Sequence, residues 1–233
     1  MNRRERKMRD LVSKGREKYG LCGVKAEFEA EGTRIDELLR LLDIASSANV
    51  DVAVKIGGCE AKRDLLEAKQ IGVQYVIAPM VETDYALSKY AQSVGSLIAA
   101  DEREDTDFLF NMETITGYNN RDEILRFASS SPHIDGVVFG RSDFTGSLGL
   151  EGDLVNSSEV TDYVLDISKR CSENGLDLVV GGGVSLDAIP ALSAIREIHL
   201  TRFETRKMVF FADALDEPSL QDGLLNAVKF ELL

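Results

Sequence analysis

The chain repeats one pattern along most of its length: a short run of alternating hydrophobic and polar residues, then a segment with apolar residues at helical spacing. In the first run, residues 22–29, Val24 and Ala26 face one way while Lys25 and Glu27 face the other. This two-residue alternation is typical of a strand with one buried face. Apolar residues spaced three and four apart, as in the segments that follow the runs, indicate helices.

Seven strands are predicted on this basis, and helices separate them. The predicted strands cover residues 22–29, 50–56, 74–79, 107–113, 134–140, 176–181 and 196–203. The predicted helices cover residues 33–42, 60–71, 83–94, 120–129, 160–171 and 185–194, with a long loop over 141–156 and helical patterns beyond the last strand. Strands that alternate with helices indicate parallel β/α units. An eighth strand could come from residues 95–106, where 96–100 is the candidate, or from 207–211.

These units predict an α/β fold, a (β/α)₈ TIM-type barrel, possibly modified, in one domain over residues 1–233. Residues 1–20 are expected to form an N-terminal helical extension. A length of 233 residues, 44% of them hydrophobic, is enough for a large core. The first strand is not followed by GxGxxG and the chain has no P-loop motif, which argues against a nucleotide-binding open sheet.

Charge narrows the classes of partner. The formal net charge of −13 disfavours nucleic acid and anionic membrane surfaces as ligands. No apolar run reaches the roughly 20 residues that span a bilayer, and no signal peptide is evident. Cys22, Cys59 and Cys171 are far apart and form no CxxC, so we expect reduced thiols in a cytoplasmic protein. Cys59, in the loop after a strand, is the one cysteine that merits a test as a nucleophile.

Charged residues gather where the predicted strands end, which is where a β/α barrel builds its active site. Glu113 and Asp143 follow two neighbouring strands. Two carboxylates from different strands suit a hard cation such as Mg²⁺ or Mn²⁺, which takes one or two carboxylates and fills its other positions with water and substrate oxygens. The same residues could instead form an internal salt-bridge network with Lys55 and Arg141. Spacing alone leaves both alternatives open.

A family resemblance bears on this choice. The chain contains FNMETITGYNNRDEIL and HIDGVVFGRSDFTGSLG within residues 110–149, and PMVET at 79–83. A strand that ends in E-T, followed about thirty residues later by G-x-x-D-[LF]-[ST]-x-x-x-G, resembles the HpcH/HpaI aldolase and citrate lyase beta-subunit superfamily, over roughly residues 22–203. The resemblance implies a modified barrel that acts on 2-oxo acids or acyl-thioesters through a metal-stabilised enolate. It implies Glu113 and Asp143 as metal ligands, and backbone near Gly140, Arg141 and Ser142 as the holder of a substrate carboxylate.

Two departures from the family pattern affect the expected chemistry. Aldolases of the family carry a histidine in a D-x-E-H-type motif, and Ala30 stands at that position here. The substrate-binding arginine of the family corresponds to Lys55, which keeps the charge but lacks the two-pronged guanidinium. His133 and His199 are both expected to be structural. Glu29 or a metal-bound water is therefore the expected base, since a desolvated carboxylate can have a raised pKa.

Further candidates are a glycine run and an arginine. Gly182 lies in the run 181–183 after a strand, where backbone N–H groups could bind phosphate or carboxylate, although such a turn also simply needs glycine. Arg202, at the predicted end of the last strand, would add an anion contact.

The chain is thus predicted to be a Mg²⁺- or Mn²⁺-dependent carbon–carbon lyase of the aldolase type. Its expected partners are a small carboxylate substrate and further copies of itself in a homo-oligomer, with neither nucleic acid nor membrane. Lys55, Glu29 and Arg141 are the expected catalytic side chains. The alternatives are an acyl-CoA or phosphoenolpyruvate-type substrate at the same site, or a non-catalytic barrel subunit that lost its base.

Overall fold

The computed structural model describes all residues 1–233 and closes eight strands into a barrel in sequence order. The strands are β1 (Leu21–Glu27), β2 (Asp51–Lys55), β3 (Tyr75–Ala78), β4 (Asp107–Met112), β5 (Gly136–Gly140), β6 (Asp177–Gly181), β7 (Arg202–Glu204) and β8 (Met208–Phe211). The helices are α1 (Arg3–Tyr19), α2 (Ile35–Ala48), α3 (Lys62–Ile71), α4 (Asp84–Leu97), α5 (Ile115–Asn119), α6 (Arg121–Ser130), α7 (Arg141–Ser147), α8 (Ser158–Asn174), α9 (Ile189–Arg196) and α10 (Leu220–Glu231). The predicted TIM-type barrel with an N-terminal helix is confirmed.

The barrel is modified at its last strand. Strands β1 to β7 pair in parallel, whereas β8 runs antiparallel to both β7 and β1. Only residues 205–207 connect β7 to β8, and the Thr205 hydroxyl accepts a hydrogen bond from the Met208 N–H at 3.1 Å. A parallel return would need a crossover of a dozen or more residues, so this short turn fixes the antiparallel direction. The eighth strand thus comes from the second predicted candidate, while the first contains the end of α4 at Leu97 and a 3₁₀ turn at Glu102–Asp105.

Two other predictions differ from the structure. The strand predicted at 196–203 is wrong over most of its length, because α9 continues to Arg196 and β7 begins only at Arg202. The N–H groups of Ile198 and His199 donate hydrogen bonds back to the Ile195 carbonyl. These bonds form a turn, although the residues alternate in hydrophobicity as a strand would. The predicted loop 141–156 contains α7 and a 3₁₀ turn at Gly152–Asn156.

The main core lies between the sheet and its helices, and α1 adds to it. Val12 and Tyr19 of α1 are buried, and α1 packs between α2 and α10. Asn2 caps α1 by accepting hydrogen bonds from the N–H groups of Arg4 and Glu5. No helix combines the length and the apolar composition that a membrane crossing requires.

The inside of the barrel is layered from one end to the other. A small apolar cluster fills its middle: Ala53, Ile77, Leu109, Val138 and Val179. On β2, β4, β5 and β6, the residues two positions before and two positions after the cluster residue are polar or glycine, so the apolar layer is bounded on both sides by residues of a different kind. Because the strands run in parallel, the layer nearer the carboxyl ends is the one expected to hold a functional site.

Candidate functional site

Glu113 is the most enclosed of the predicted acidic site residues, with only 2% of its surface exposed. It follows β4 directly, and three donors surround its carboxylate. The Met80 N–H bonds to Oε1 at 3.0 Å, the Asn111 amide donates to Oε2, and the Lys55 Nζ lies 3.4 Å from Oε2. A buried carboxylate needs such compensation. Met80 adopts a left-handed backbone conformation, with φ at 50°, at the position that delivers its N–H.

Asn111 leaves one strong acceptor without a partner. It lies two residues before Glu113 on the inner face of β4 and is 5% exposed. Its amide nitrogen donates a hydrogen bond to Glu113, while its Oδ1 has no hydrogen-bond partner. A buried carbonyl oxygen in this state carries a free-energy cost unless water, a cation or a ligand group meets it. This oxygen therefore marks a place beside Glu113 where a donor or a cation would be favoured.

The start of α7 brings Asp143 to the same end of the barrel. Gly140, the last residue of β5, packs against Glu113 so closely that a Cβ there would lie 2.8 Å from Oε2. Asp143 follows three residues later in the first turn of α7, where its side chain is exposed and makes no ion pair. The structure thus brings the two predicted metal ligands to one end of the barrel, one buried and one open to solvent.

The predicted salt-bridge alternative holds for one carboxylate only. Lys55 pairs with Glu113, but Arg141 does not pair with Asp143. Arg141 is 1% exposed and instead bonds to the Gly181 and Gly182 carbonyls and to the Asn156 side-chain oxygen. Burial lowers the pKa of Arg141 to about 10, which still leaves the guanidinium charged at neutral pH. Arg141 thus ties the start of α7 to the loop after β6.

The glycine run after β6 fits against α7. Gly182 has φ at 80°, and a Cβ there would lie 2.4 Å from the Ser142 backbone nitrogen. Only a glycine can adopt this conformation and this contact together. Ser142 itself is exposed at the opening of the barrel. Gly140, Arg141, Ser142 and Gly182 are therefore contiguous, as the substrate-binding prediction requires.

A second buried charge cluster had not been predicted as part of the site. Lys25 of β1 lies 2.6 Å from Glu204 of β7 and 3.2 Å from Glu27, the last residue of β1. Burial alone would lower the pKa of Lys25, but the two carboxylates outweigh it and raise that pKa. The signal in the sequence was the alternation in residues 22–29, which places Lys25 and Glu27 on the face opposite Val24.

Two glycines create room for the carboxylates. Gly140 of β5 and Gly181 of β6 are register partners. A Cβ at Gly181 would lie 3.0 Å from the Glu204 Oε1, just as one at Gly140 would meet Glu113. Because neighbouring strands are about 4.8 Å apart, these two carboxylates approach within about 11 Å across the glycine pair.

A cavity of about 1020 Å³ opens beside these groups. Its lining includes Lys25, Glu27 and Glu204, together with Ser142 and Gly182. The lining also includes both apolar and polar residues of α10, among them Leu224, Val228 and Glu231. Neither Glu113 nor Asp143 lines this cavity, but Ser142, which precedes Asp143 in the first turn of α7, does. Of the larger cavities, it alone is lined by charged residues at the carboxyl ends of strands, Glu27 of β1 and Glu204 of β7, which makes it the candidate substrate entrance.

Neither Glu29 nor Arg202 lines this cavity. Glu29 is exposed and its side chain packs over Gly57 after β2. Arg202 is the first residue of β7 and not its last, so it lies at the amino end of the barrel. There it pairs with Asp177 at 2.6 Å and stacks over the Tyr75 ring at 4.2 Å. The later start of β7 thus removes Arg202 from the strand ends where an anion contact had been expected.

The histidines and cysteines show no catalytic arrangement. His133 contacts Arg103. His199 lies in the turn before β7, and its Nε2 is 2.9 Å from the Leu176 carbonyl. Burial raises the pKa of the Cys59 thiol, which is the opposite of what a nucleophile needs. No three acidic, histidine or cysteine side chains converge on one point that could hold a metal without other ligands.

Comparisons with known proteins agree with this architecture. The HpcH/HpaI aldolase/citrate lyase family profile matches residues 25–188. A search of curated proteins by sequence found no match. Solved structures that resemble the chain include an HpcH/HpaI aldolase from Desulfitobacterium hafniense DCB-2, with 15% identity, a TM-score of 0.66, and coverage of 95% of this chain and 88% of that one. An HpcH/HpaI aldolase/citrate lyase family protein from Burkholderia cenocepacia J2315 has 14% identity, a TM-score of 0.69, and coverage of 98% and 89%.

A third similar structure is the citrate synthase SbnG, with 15% identity, a TM-score of 0.64, and coverage of 97% of this chain and 91% of that one. Identities this low establish a shared fold and nothing finer. The family profile covers more than half of the chain and includes both Glu113 and Asp143. By its sequence and its barrel, the chain belongs to the HpcH/HpaI aldolase/citrate lyase family, whose members are aldolases and lyases.

Proposed function

We propose that this chain is a divalent-metal-dependent carbon–carbon lyase of the aldolase type, which cleaves a 2-oxo acid or a related carboxylate through an enolate. The observation that carries the proposal is the setting of Glu113. Its carboxylate is buried against Gly140, and Gly140 is three residues before Asp143. The carboxylate also lies next to the side-chain amide of Asn111, whose Oδ1 has no hydrogen-bond partner.

The residues present fit a hard cation. Glu113 and Asp143 supply carboxylate oxygens, and the free Asn111 oxygen lies beside the first of them. Mg²⁺ usually keeps several water ligands and takes only one or two carboxylates, so two acidic residues suffice. Glu113 and Asp143 would hold the ion, and a bound Mg²⁺ or Mn²⁺ would act as a Lewis acid on the 2-oxo group.

Lys55 has a role that changes with occupancy of the site. Without a cation, it neutralises the buried Glu113 carboxylate. A bound cation would take over that charge, and the Lys55 ammonium would then be available to a substrate carboxylate or to the negative charge that develops during cleavage. Arg141 holds the start of α7 in place, and the backbone at Gly140, Ser142 and Gly182 forms the surface on which the substrate carboxylate would lie.

The lining of the cavity argues against a polyanionic substrate. It includes six acidic residues, Glu27, Asp153, Asp187, Glu204, Asp222 and Glu231, but only two basic ones, Lys25 and Arg206. Such a surface lowers the local concentration of anions. An acyl-CoA or phosphoenolpyruvate-type substrate is therefore less well suited to this cavity than a small 2-oxo acid joined to an uncharged aldehyde fragment.

Hydrogen exchange into pyruvate tests the proposal without knowledge of the aldehyde. The protein is incubated with pyruvate and Mn²⁺ in D₂O, and deuterium in the methyl group is measured by mass spectrometry. We expect exchange that EDTA abolishes and added Mn²⁺ restores, together with pyruvate release from some members of a panel of 4-hydroxy-2-oxo acids. A protein that neither exchanges pyruvate nor cleaves any panel member would support the non-catalytic alternative, and activity that persists in EDTA would exclude a metal-dependent mechanism.

A further inference from the structure

The cluster of Lys25, Glu27 and Glu204 has the composition of a proton-transfer site. One lysine is shared by two carboxylates, so the cluster carries one net negative charge. Glu204 is 4% exposed and is held at 2.6 Å. The Glu27 side chain is 14% exposed, lies at 3.2 Å from the lysine and lines the cavity. Glu27 can therefore take up one proton while Lys25 and Glu204 remain a neutral, fully paired couple.

The cluster lies on the other side of the Gly140 and Gly181 pair from Glu113, the buried one of the two proposed metal ligands. Glu204 and Glu113 lie on opposite sides of the Gly140 and Gly181 pair, within about 11 Å given the strand spacing. A substrate fragment of a few atoms would span the space between them. Glu27 is also the register partner of Lys55, which contacts Glu113. The cluster and the carboxylate pair thus border the same polar layer.

We propose that Glu27 is the proton acceptor of this enzyme, with Lys25 and Glu204 as positioning residues. The inference rests on the proposed lyase function and adds to it the base that Ala30 cannot supply. It replaces Glu29 in that role, because Glu29 is exposed, packs over Gly57 and does not line the cavity.

The proposed step balances within the substrate and one carboxylate. In cleavage, Glu27 takes the proton of the C4 hydroxyl, and the C3–C4 bond breaks. The electron pair of that bond forms the C2–C3 double bond of the enolate, while C4 leaves as an aldehyde. The protonated Glu27 then returns its proton to C3, which gives pyruvate and restores the carboxylate. In the exchange assay, the carboxylate removes a proton from the pyruvate methyl group, which is the reverse of this last step, and a solvent-derived deuteron is then returned to C3.

The test compares Glu27→Gln with Glu29→Gln in the Mn²⁺-dependent exchange of pyruvate. We expect Glu27→Gln to lower kcat by at least about 100-fold, the usual scale of general base catalysis, with the affinity for Mn²⁺ and the melting temperature little changed. Glu29→Gln, two residues further along the chain and outside the cavity lining, should keep more than half of the wild-type rate. In Glu27→Ala, added formate should restore exchange in proportion to its concentration, and formate should have no such effect on Glu29→Ala.

The outcomes separate the two proposals. Wild-type protein without exchange would reject the lyase function itself, and the role of Glu27 with it. Active wild type with an active Glu27→Gln would leave the lyase function standing and reject Glu27 as the base. If Glu27→Gln does not fold, the formate response of Glu27→Ala decides, since a purely structural carboxylate would not be replaced by a diffusible one, and an absence of rescue in folded Glu27→Ala rejects the proposal.

Discussion

Replacement of Lys55 by methionine is expected to destabilise the metal-free protein by roughly 3 kcal/mol, because it leaves a buried carboxylate without its cation. The Glu113 side chain is 1% exposed and Lys55 is the only cationic group that pairs with it. The hydrogen bonds from Met80 and Asn111 would remain, but they carry no full charge. Thermal or urea unfolding in EDTA measures the loss.

Added Mn²⁺ should reverse much of this loss. A cation that binds only the folded state stabilises it in proportion to the logarithm of its concentration, and in Lys55→Met it would no longer compete with the ammonium. We expect a larger rise in melting temperature with Mn²⁺ than in the wild type, together with poor catalysis. Lys55→Arg is the matched control and should stay near wild-type stability. An equal Mn²⁺ shift in Lys55→Met and wild type would show that Lys55 and the ion do not share Glu113.

Replacement of Arg141 by methionine is expected to cost roughly 3–5 kcal/mol of stability. The side chain is fully buried and donates to three acceptors, the Gly181 and Gly182 carbonyls and the Asn156 amide oxygen. Each buried acceptor left without a donor costs about 1–3 kcal/mol, and part of this is recovered by relaxation and by water. The loss should appear as a lower midpoint of urea unfolding with an unchanged slope.

Arg141→Lys separates hydrogen bonding from charge, since it keeps the cation but offers fewer donors in a different geometry. We expect it to recover only part of the stability. Because Arg141 fixes the start of the helix that carries Asp143, both variants should also weaken Mn²⁺ binding. Full stability in Arg141→Met would contradict the bracing role and reopen a direct catalytic one.

Much of the fold was predictable because a β/α barrel repeats one local pattern. The alternation in residues 22–29 and the buried strands after it fixed the order of elements. The direction of β8 was not predictable from periodicity, since it depends on the three-residue turn at 205–207. The same limit explains the error at 196–203, where alternating residues form a helix end and a turn because their N–H groups bond backwards to α9.

The site was predictable where its residues follow strands and less so where they lie within them. Glu113 and Asp143 were predicted from strand ends and motif context, and the structure places both at the same end of the barrel. Lys25 and Glu204 pair across 179 residues of sequence, and no local pattern brings β1 and β7 together. Arg202 was predicted near the end of a strand but is the first residue of β7, because the sequence did not locate the start of that strand. Nor did the sequence indicate that Glu29 would be exposed and absent from the cavity lining.

Equilibrium binding of Mn²⁺, measured from the paramagnetic resonance signal of the free ion, tests the central claim most directly. The wild-type protein should bind one Mn²⁺ per chain. Glu113→Gln and Asp143→Asn should each remove most of the binding, whereas Glu29→Gln should leave it intact. No Mn²⁺ binding by the wild type, or unchanged binding in both Glu113→Gln and Asp143→Asn, would contradict a metal site at these two carboxylates.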